Sequence, residues 1–204
     1  MTNLAKYPLR ALYVDFNSYF ASAEQQLRPE LRGKPLGIVA VNTDSTCCIA
    51  ASVEAKRYGV KTGTGVREAK RLCPDIQMIE ARPDEYIRLH HRLKTVIEAC
   101  SPIAAVRSID EMWCELTGSE RERAKAERLA IHIKDAIYQQ VGAYLRCSIG
   151  IAPNRYLAKT ASNLQKPNGL VVIESDDLPH KLYSIKLDDL NGIGHAMRER
   201  LHRE

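Results

Sequence analysis

Three carboxylates in two separate stretches carry the chemistry that this sequence suggests. Asp15 lies inside YVDF, and Asp110 and Glu111 stand side by side in RSIDEM at 107–112. A carboxylate inside an apolar strand costs on the order of several kcal/mol unless it is paired or binds a metal. No lysine or arginine alternates with Asp15 locally. Adjacent residues on a regular strand face opposite sides, so Asp110 and Glu111 can share an ion only at a strand end, turn or bulge. The approach through Ser108 and Ile109 fits such a corner. If the strands around 10–16 and 111–116 are sheet neighbours, acids 95 positions apart converge. Hard oxygen donors of this kind suit Mg²⁺ or Mn²⁺, with substrate phosphates completing the shell. Two such ions, roughly 3.5–4 Å apart, can clamp the attacking and leaving oxygens of a phosphoryl transfer. On spacing alone a plainer reading is the stronger one: Asp110 caps a turn, Glu111 is solvated, and Asp15 is hydrogen-bonded to backbone.

The elements that must position these acids follow from the apolar pattern. RALYVDF at 10–16 reads as a buried strand, and Asn17 or Ser18 can cap a helix running to about Leu31. Strands are expected at 36–41, 47–51 and 76–81, with a helix capped by Ser52 and a second starting at Thr64. Pro83 opens a long helix reaching about Cys100. The stretch at 103–106 is short and apolar, and 111–116 alternates like a strand. A charged amphipathic helix from Ser119 to about Gln140 is closed by Gly142. A strand at 145–152, a helix capped by Asn154, and a strand at 169–173 complete the pattern. The order is that of an α+β, split βαββαβ sandwich, with about 27–82 as an insertion. Short helical segments follow Ile173, and the chain stops at Glu204 inside what reads as a helix, as a fragment would.

Composition allows this and little that is exotic. The 204 residues are 45% hydrophobic and 27% charged, and 30 basic against 25 acidic side chains leave a net charge of +5. That mild excess accommodates a polyanion without demanding one. Six cysteines, none in a CxxC pair, read as reduced thiols of a cytoplasmic protein. No run of about 18 apolar residues predicts a membrane span. His90, His91, His132, His180 and His202 show no metal-ligand spacing with cysteine. Trp113 alternates with the metal-side residues of its strand and reads as packing.

Four stretches occur in order: YVDFNSYFASAEQ at 13–25, RSIDEMWCEL at 107–116, CSIGIAPNRYLAKTASNLQKPNG at 147–169 and LNGIGHAMRERL at 190–201. Together they resemble the Y-family, or translesion, DNA polymerases. Within that family the palm stretches resemble the polymerase IV subgroup and the fingers stretch the SOS-mutagenesis subgroup. The resemblance implies a ferredoxin-like palm over 1–26 and 83–173, a small α/β fingers insertion over 27–82, and a partial helical thumb over 174–204. It implies low-fidelity, template-directed addition of dNTPs to a primer 3′ end in DNA repair. Asp15, Asp110 and Glu111, with the backbone carbonyl of Phe16, are then the ligands of two Mg²⁺ ions, for which Mn²⁺ can substitute. Divalent ions would explain why two like charges stand together at 110–111.

Further roles come with the resemblance. Phe20 matches the steric gate, where a ring under the incoming sugar clashes with a 2′-hydroxyl. A bare Phe on such a helix is otherwise a core aromatic. Tyr19 packs near the same pocket or into the palm. Lys166, in QKPNG, matches a lysine that reaches the triphosphate. The fingers depart from the commonest pattern: Ala50, Val53 and Lys56 stand where many members carry Thr, Tyr and Arg. A hydroxyl, a phenol and a bidentate fork are thereby lost, and one point charge remains. Thr62, Gly63, Thr64 and Gly65 suit an undemanding roof over the templating base, or simply a turn. Gly192 and Gly194 resemble half of a helix-hairpin-helix whose amides meet DNA phosphates, with His195, Arg198 and Arg203 adding backbone contacts. The implied partners are primer-template DNA, dNTPs, and a sliding clamp or other activator reached through a C-terminal region. Two competing readings are a non-catalytic DNA-binding relative and another phosphotransferase on the same architecture, such as a nucleotide cyclase.

Overall fold

The computed structural model describes residues 7–187, 190–201 and 203. His202 and the side chain of His195 lie outside the described residues. The chain forms two compact units, one of residues 1–15, 100–133 and 147–204, the other of 16–99 and 134–146.

The first unit is built on a five-stranded sheet. Its strands are β1 (Ala11–Phe16), β5 (Ile103–Ser108), β6 (Glu111–Glu115), β7 (Cys147–Ala152) and β8 (Leu170–Val172), in the order β5-β6-β1-β7-β8. β1 pairs antiparallel with β6, which pairs antiparallel with β5, and β8 runs parallel to β7. Leaving out β8, this is the strand order of a split βαββαβ sandwich, as the sequence predicts. Every residue of β1 and β7 is buried, as suits the centre of a sheet.

One face of this sheet is covered by α6 (Arg155–Leu164). Ala11, Tyr13, Ala152, Leu157, Ala158, Ala161 and Ile173 form the packed layer, with Trp113 against it. Trp113 lies two residues from Glu111 and so shares its face of β6; it packs beside the acid rather than opposite it. The close approach of α6 depends on Gly150. A methyl group there would sit 2.0 Å from the Ala158 carbonyl oxygen and 2.4 Å from the Ser162 nitrogen. α6 begins where expected, because Asn154 Oδ1 accepts from the Leu157 N–H at 2.9 Å.

In the second unit β2 (Leu36–Val39) is central to a three-stranded sheet. β3 (Cys48–Ala51) joins it antiparallel and β4 (Gln77–Glu80) parallel. Val39, Cys48, Ala51, Ala55, Val60, Val66, Ala69 and Cys73 form a core that includes α2 (Val53–Lys56) and α3 (Val66–Leu72). Ala21, Leu31, Leu36 and Ile38 form a second core beside α1 (Tyr19–Leu27), with Phe20 and Ile79 packed against it. α4 (Pro83–Cys100) has Pro83 at its first position and Asp84 and Glu85 in its first turn. It buries Tyr86, Leu89, Leu93, Val96 and Ile97 at helical spacing.

Several boundaries differ from the sequence reading for identifiable reasons. α1 stops at Leu27, not near Leu31. Arg28 precedes Pro29 and is extended (φ −124°, ψ 93°), and a separate 3₁₀ turn follows over Pro29–Leu31. Ser18 occupies the cap position of α1 in a left-handed conformation (φ 51°), and its hydroxyl makes no capping bond. The helix expected from Ser119 is broken at its start. Thr117 and Glu120 form a capping box over a 3₁₀ turn, and α5 (Arg123–Gln140) begins afterwards. The short apolar segment at 103–106 is the edge strand β5, extended to Ser108. Ala104, Val106, Arg107 and Ser108 are exposed, so no clean alternation marks it. Beyond β8 the described chain holds a 3₁₀ turn over Ser175–Asp177 and two short helices, α7 (His180–Tyr183) and α8 (His195–Leu201).

Candidate active site

The register of β1 against β6 sets Asp15 directly opposite Glu111. Asp110 precedes Glu111 in the turn between β5 and β6, and the β5–β6 ladder is irregular between Val106 and Ser108. Asp15 is 4% exposed and Glu111 is half-buried. A buried carboxylate must be compensated. The compensating group is Lys159, 8% exposed, from the middle of α6. Its ammonium donates to Asp15 Oδ2 and to Glu111 Oε1, the latter at 2.7 Å. It also lies 5.4 Å from the centre of the Tyr13 ring. Tyr13, two residues before Asp15 and on the same face, donates its hydroxyl to Glu111 Oε2 at 2.7 Å. Lys166 reaches the remaining oxygen, Asp15 Oδ1, at 2.8 Å. Asp110 Oδ1 accepts from the Ser108 hydroxyl at 2.6 Å.

Protonation follows from these contacts. Burial pushes Glu111 up, but hydrogen bonds from Lys159 and Tyr13 and the charges of both lysines more than offset it, leaving Glu111 below the ordinary value. Burial pushes Lys159 down, and the charge of Asp15 with its hydrogen bonds to Asp15 and Glu111 raises it above the ordinary value instead. Burial and the bond to Glu111 raise the Tyr13 phenol, which therefore stays a donor. At neutral pH Glu111 is thus an anion facing an ammonium.

Among the described residues no three His, Cys, Asp or Glu side chains are arranged around a metal position. The donor chemistry nevertheless fits a hard divalent cation. Asp15, Asp110 and Glu111 offer carboxylate oxygens only, and Asp15 and Glu111 already converge on one cationic centre, the Lys159 ammonium. No helix among the described residues is long and apolar enough to cross a membrane.

Other residues singled out in the sequence lie in the second unit. Phe16 ends β1 and is buried. Tyr19 and Phe20 open α1, their rings 5.9 Å apart and tilted by 51°. Ala50 lies on β3, Val53 begins α2, and Lys56 ends α2 on the surface. Thr64 is buried and accepts from the Lys61 N–H at 3.0 Å, and α3 is capped by Gly65. In the first unit Gly192 is exposed with φ +90°, Gly194 precedes α8, and Arg198 donates to Glu199 Oε1 at 3.1 Å.

Two groups of residues escape the sequence reading. Lys159 is one. It sits among the buried residues Leu157, Ala158, Thr160, Ala161 and Ser162, and a lysine inside such a run is a signal of a paired internal cation. The other group is Glu24, Arg82 and Tyr86. Glu24 is fully buried on α1 and accepts from Arg82 Nε at 3.0 Å, Arg82 Nη2 at 2.7 Å, Arg28 Nε at 2.8 Å and the Tyr86 hydroxyl at 2.8 Å. Its partners lie up to 62 positions away, beyond the reach of local pattern.

A sheet of this order, with Asp15 and Glu111 facing each other across β1 and β6, is of the polymerase-palm class. Residues 14–163 match the model of the impB/mucB/samB family, and the chain belongs to that family. It is 37% identical over 194 residues to a DNA polymerase IV of Pelotomaculum thermopropionicum, covering 93% of this chain and 47% of the relative. A DNA polymerase IV of Moorella thermoacetica is 38% identical, with 93% and 48% covered. The chain thus spans about half the length of the curated relatives it matches. Among solved structures, DinB from Sulfolobus solfataricus superposes with a TM-score of 0.85 at 30% identity, over 95% of this chain and 57% of that one. An insertion ternary complex of Dbh DNA polymerase superposes at 0.84 and 29% identity, with the same coverage.

Proposed function

We propose that this chain is the palm, fingers and partial thumb of a translesion DNA polymerase that adds dNTPs to a primer 3′ end on a DNA template. The palm comprises 1–26 and 83–173, the fingers 27–82, and the thumb begins at 174. The observation that carries this reading is Asp15 facing Glu111 across β1 and β6 with a single ammonium between them. A buried acid and a half-buried one aimed at one cationic centre, on a family palm, are a built site for positive charge and phosphate.

Asp15, Asp110, Glu111 and the Phe16 carbonyl would hold two divalent ions, Mg²⁺ or Mn²⁺. When bound, these ions would neutralise charge on the reacting phosphate and make the primer hydroxyl more acidic. The chain's own residues do the positioning. Tyr13 keeps Glu111 oriented, and Lys159 and Lys166 hold the Asp15 carboxylate. Lys166, 38% exposed, is long and flexible enough to turn from Asp15 to a triphosphate. Phe20 closes the site to ribose, with Tyr19 beside it. Lys56 is the cation of the fingers, and Thr62, Gly63, Thr64 and Gly65 leave the templating base loosely covered, at a cost in fidelity. Gly192, Gly194 and Arg198 contact the DNA backbone. A sliding clamp or other activator is a further partner.

A non-catalytic DNA-binding relative is the weaker reading, because the three acids, the gate position and the lysine of QKPNG are all present. Primer extension with Mg²⁺ and dNTPs tests the proposal, run beside Asp110→Ala and Phe20→Ala. Extension lost in Asp110→Ala, and ribonucleotides newly used by Phe20→Ala, are the expected results. Equal activity in all three proteins would reject the proposal.

A further inference from the structure

β5 is an edge of the five-stranded sheet, next to the strand that carries Glu111. Its ladder with β6 pairs Val106 with Met112 and Ser108 with Glu111. One residue of β5, Arg107, therefore stands between two pairs that are adjacent on β6. That is a β-bulge, which bends the strand and re-aims the inserted side chain, and bulges gather at sheet edges beside active sites. Val106 lies opposite the buried Met112 and Ser108 opposite Glu111, so the strand turns over at Arg107.

The guanidinium of Arg107 comes to the acids' side of the sheet. Its charge acts on the Tyr13 phenol, whose hydroxyl donates to Glu111. β5 and β1 are two strand spacings apart, about 10 Å. A guanidinium on the other face would lie farther from that hydroxyl than the roughly 10 Å over which charges act through salt water. Arg107 is exposed, and among the described residues its guanidinium has no hydrogen-bond or ion-pair partner. Asp110 and Glu111 follow it within four positions but are held by Ser108, Tyr13 and Lys159 instead.

The cations around the acid pair are thus divided. Lys159 and Lys166 reach Asp15 from α6 and from the segment between α6 and β8, on the β7 side of β1. Arg107 stands on the β5 side with its charge uncommitted. Phosphoryl transfer brings two phosphate-bearing reactants to the acids, the incoming triphosphate and the end of the primer strand. Attack in line with departure makes them enter from different sides. Lys166 serves the first. A guanidinium, whose fork fits two oxygens of a phosphodiester, suits the second.

Resting on the reading of the chain as a polymerase with Lys166 toward the triphosphate, we propose that Arg107 binds a backbone phosphate of the primer strand beside its 3′ end. The bulge aims the contact, and the contact holds the terminal hydroxyl over the acids.

Primer-template binding, followed by fluorescence anisotropy across a salt series, tests this in the wild type, Arg107→Ala and Arg107→Lys, beside single-nucleotide insertion and thermal melts. Arg107→Ala is expected to weaken binding about fivefold with the melting temperature and the KM for dNTP unchanged. The slope of log affinity against log salt should become shallower by about 0.9. Arg107→Lys keeps the charge and should keep the slope. A neutral methylphosphonate, placed in turn at each of the last primer linkages, locates the phosphate. At one of them wild-type binding should fall to the level of Arg107→Ala, while Arg107→Ala itself is weakened no further. Arg107→Gln takes the place of Arg107→Ala if the latter does not fold. Wild-type affinity and slope in Arg107→Ala overturn the inference. So does a loss that adds to every primer methylphosphonate, which puts the contact on the template or in the fold. A rise in the KM for dNTP alone puts it on the triphosphate and overturns the inference too. If the wild type neither binds nor extends primer-template DNA, the polymerase reading fails first, and the inference falls with it.

Discussion

Asp15 and Glu111 face each other across β1 and β6, and the ammonium of Lys159 bridges them from α6. Two acids on adjacent strands repel. A cation buried with them turns the repulsion into a net attraction, provided the cation stays.

Replacing Lys159 with Met leaves two poorly solvated carboxylates with Lys166, on Asp15, as the remaining counter-charge. Urea unfolding in EDTA should show a loss of about 3 kcal/mol. Millimolar Mg²⁺ should recover part of that loss in Lys159→Met and add less to the wild type, whose own ammonium competes for the same oxygens. The same deficit with and without Mg²⁺ would mean that the acids do not receive the ion.

Acid should weaken the protein through Glu24 and Glu111. Both sit below the ordinary value of 4.5 in the folded state. For Glu24 burial pushes upward, but hydrogen bonds from Arg82, Tyr86 and Arg28 more than offset it. A lowered folded value means that the stabilisation is present above pH 4.5 and is lost as pH falls through the folded value. Unfolding free energy measured from pH 7 to pH 3 should therefore fall below about pH 4.5. Glu24→Gln should be less stable at pH 7 by about 3 kcal/mol and show a shallower acid limb. An acid limb as steep as that of the wild type would remove Glu24 from the account.

Lys159 has the opposite sign. Its folded value is raised, so its stabilisation is present below 10.5 and is lost as pH rises through the higher folded value. The alkaline limb of the wild type should flatten in Lys159→Met, as read by thermal melts between pH 9 and pH 11, a window on the order of the free lysine value.

Gly150 should tolerate no side chain. A methyl group would meet the Ala158 carbonyl oxygen and the Ser162 amide on either side of Lys159's turn. α6 must then move off β7, at a cost of about 3 kcal/mol. Gly150→Ala should lower the melting temperature and, by displacing Lys159, lose primer extension. An unchanged melting temperature would contradict the close packing of α6 on β7.

Lys56 is an exposed ammonium at the end of α2. A contact of that kind contributes roughly 0.2–1 kcal/mol, so Lys56→Ala should raise the KM for the incoming nucleotide about two- to fivefold without changing stability. An unchanged KM ends its role in binding.

How far the sequence reached can be seen residue by residue. Much of the local chemistry is readable, although the stop of α1 before Pro29 and the capping box of Thr117 and Glu120 escape the sequence reading. Pro83 with Asp84 and Glu85 announces α4, Ser52 and Asn154 accept the capping bonds expected of them, and the apolar runs of β1 and β7 are buried throughout. The acids are visible too, because a charge in an apolar strand is costly enough to call for an explanation. What local pattern does not contain is the partner. Lys159 meets Asp15 across 144 positions, Tyr86 meets Glu24 across 62, and the edge strand β5 exists because β6 lies beside it. By itself the chain determined the capped starts of α2, α4 and α6, its central strands and the donor atoms of its acids, since these depend on neighbours a few residues apart. Which lysine neutralises Asp15 and which tyrosine bonds Glu24 was decided only by folding, since such contacts arise when packing brings remote segments within hydrogen-bond and van der Waals reach.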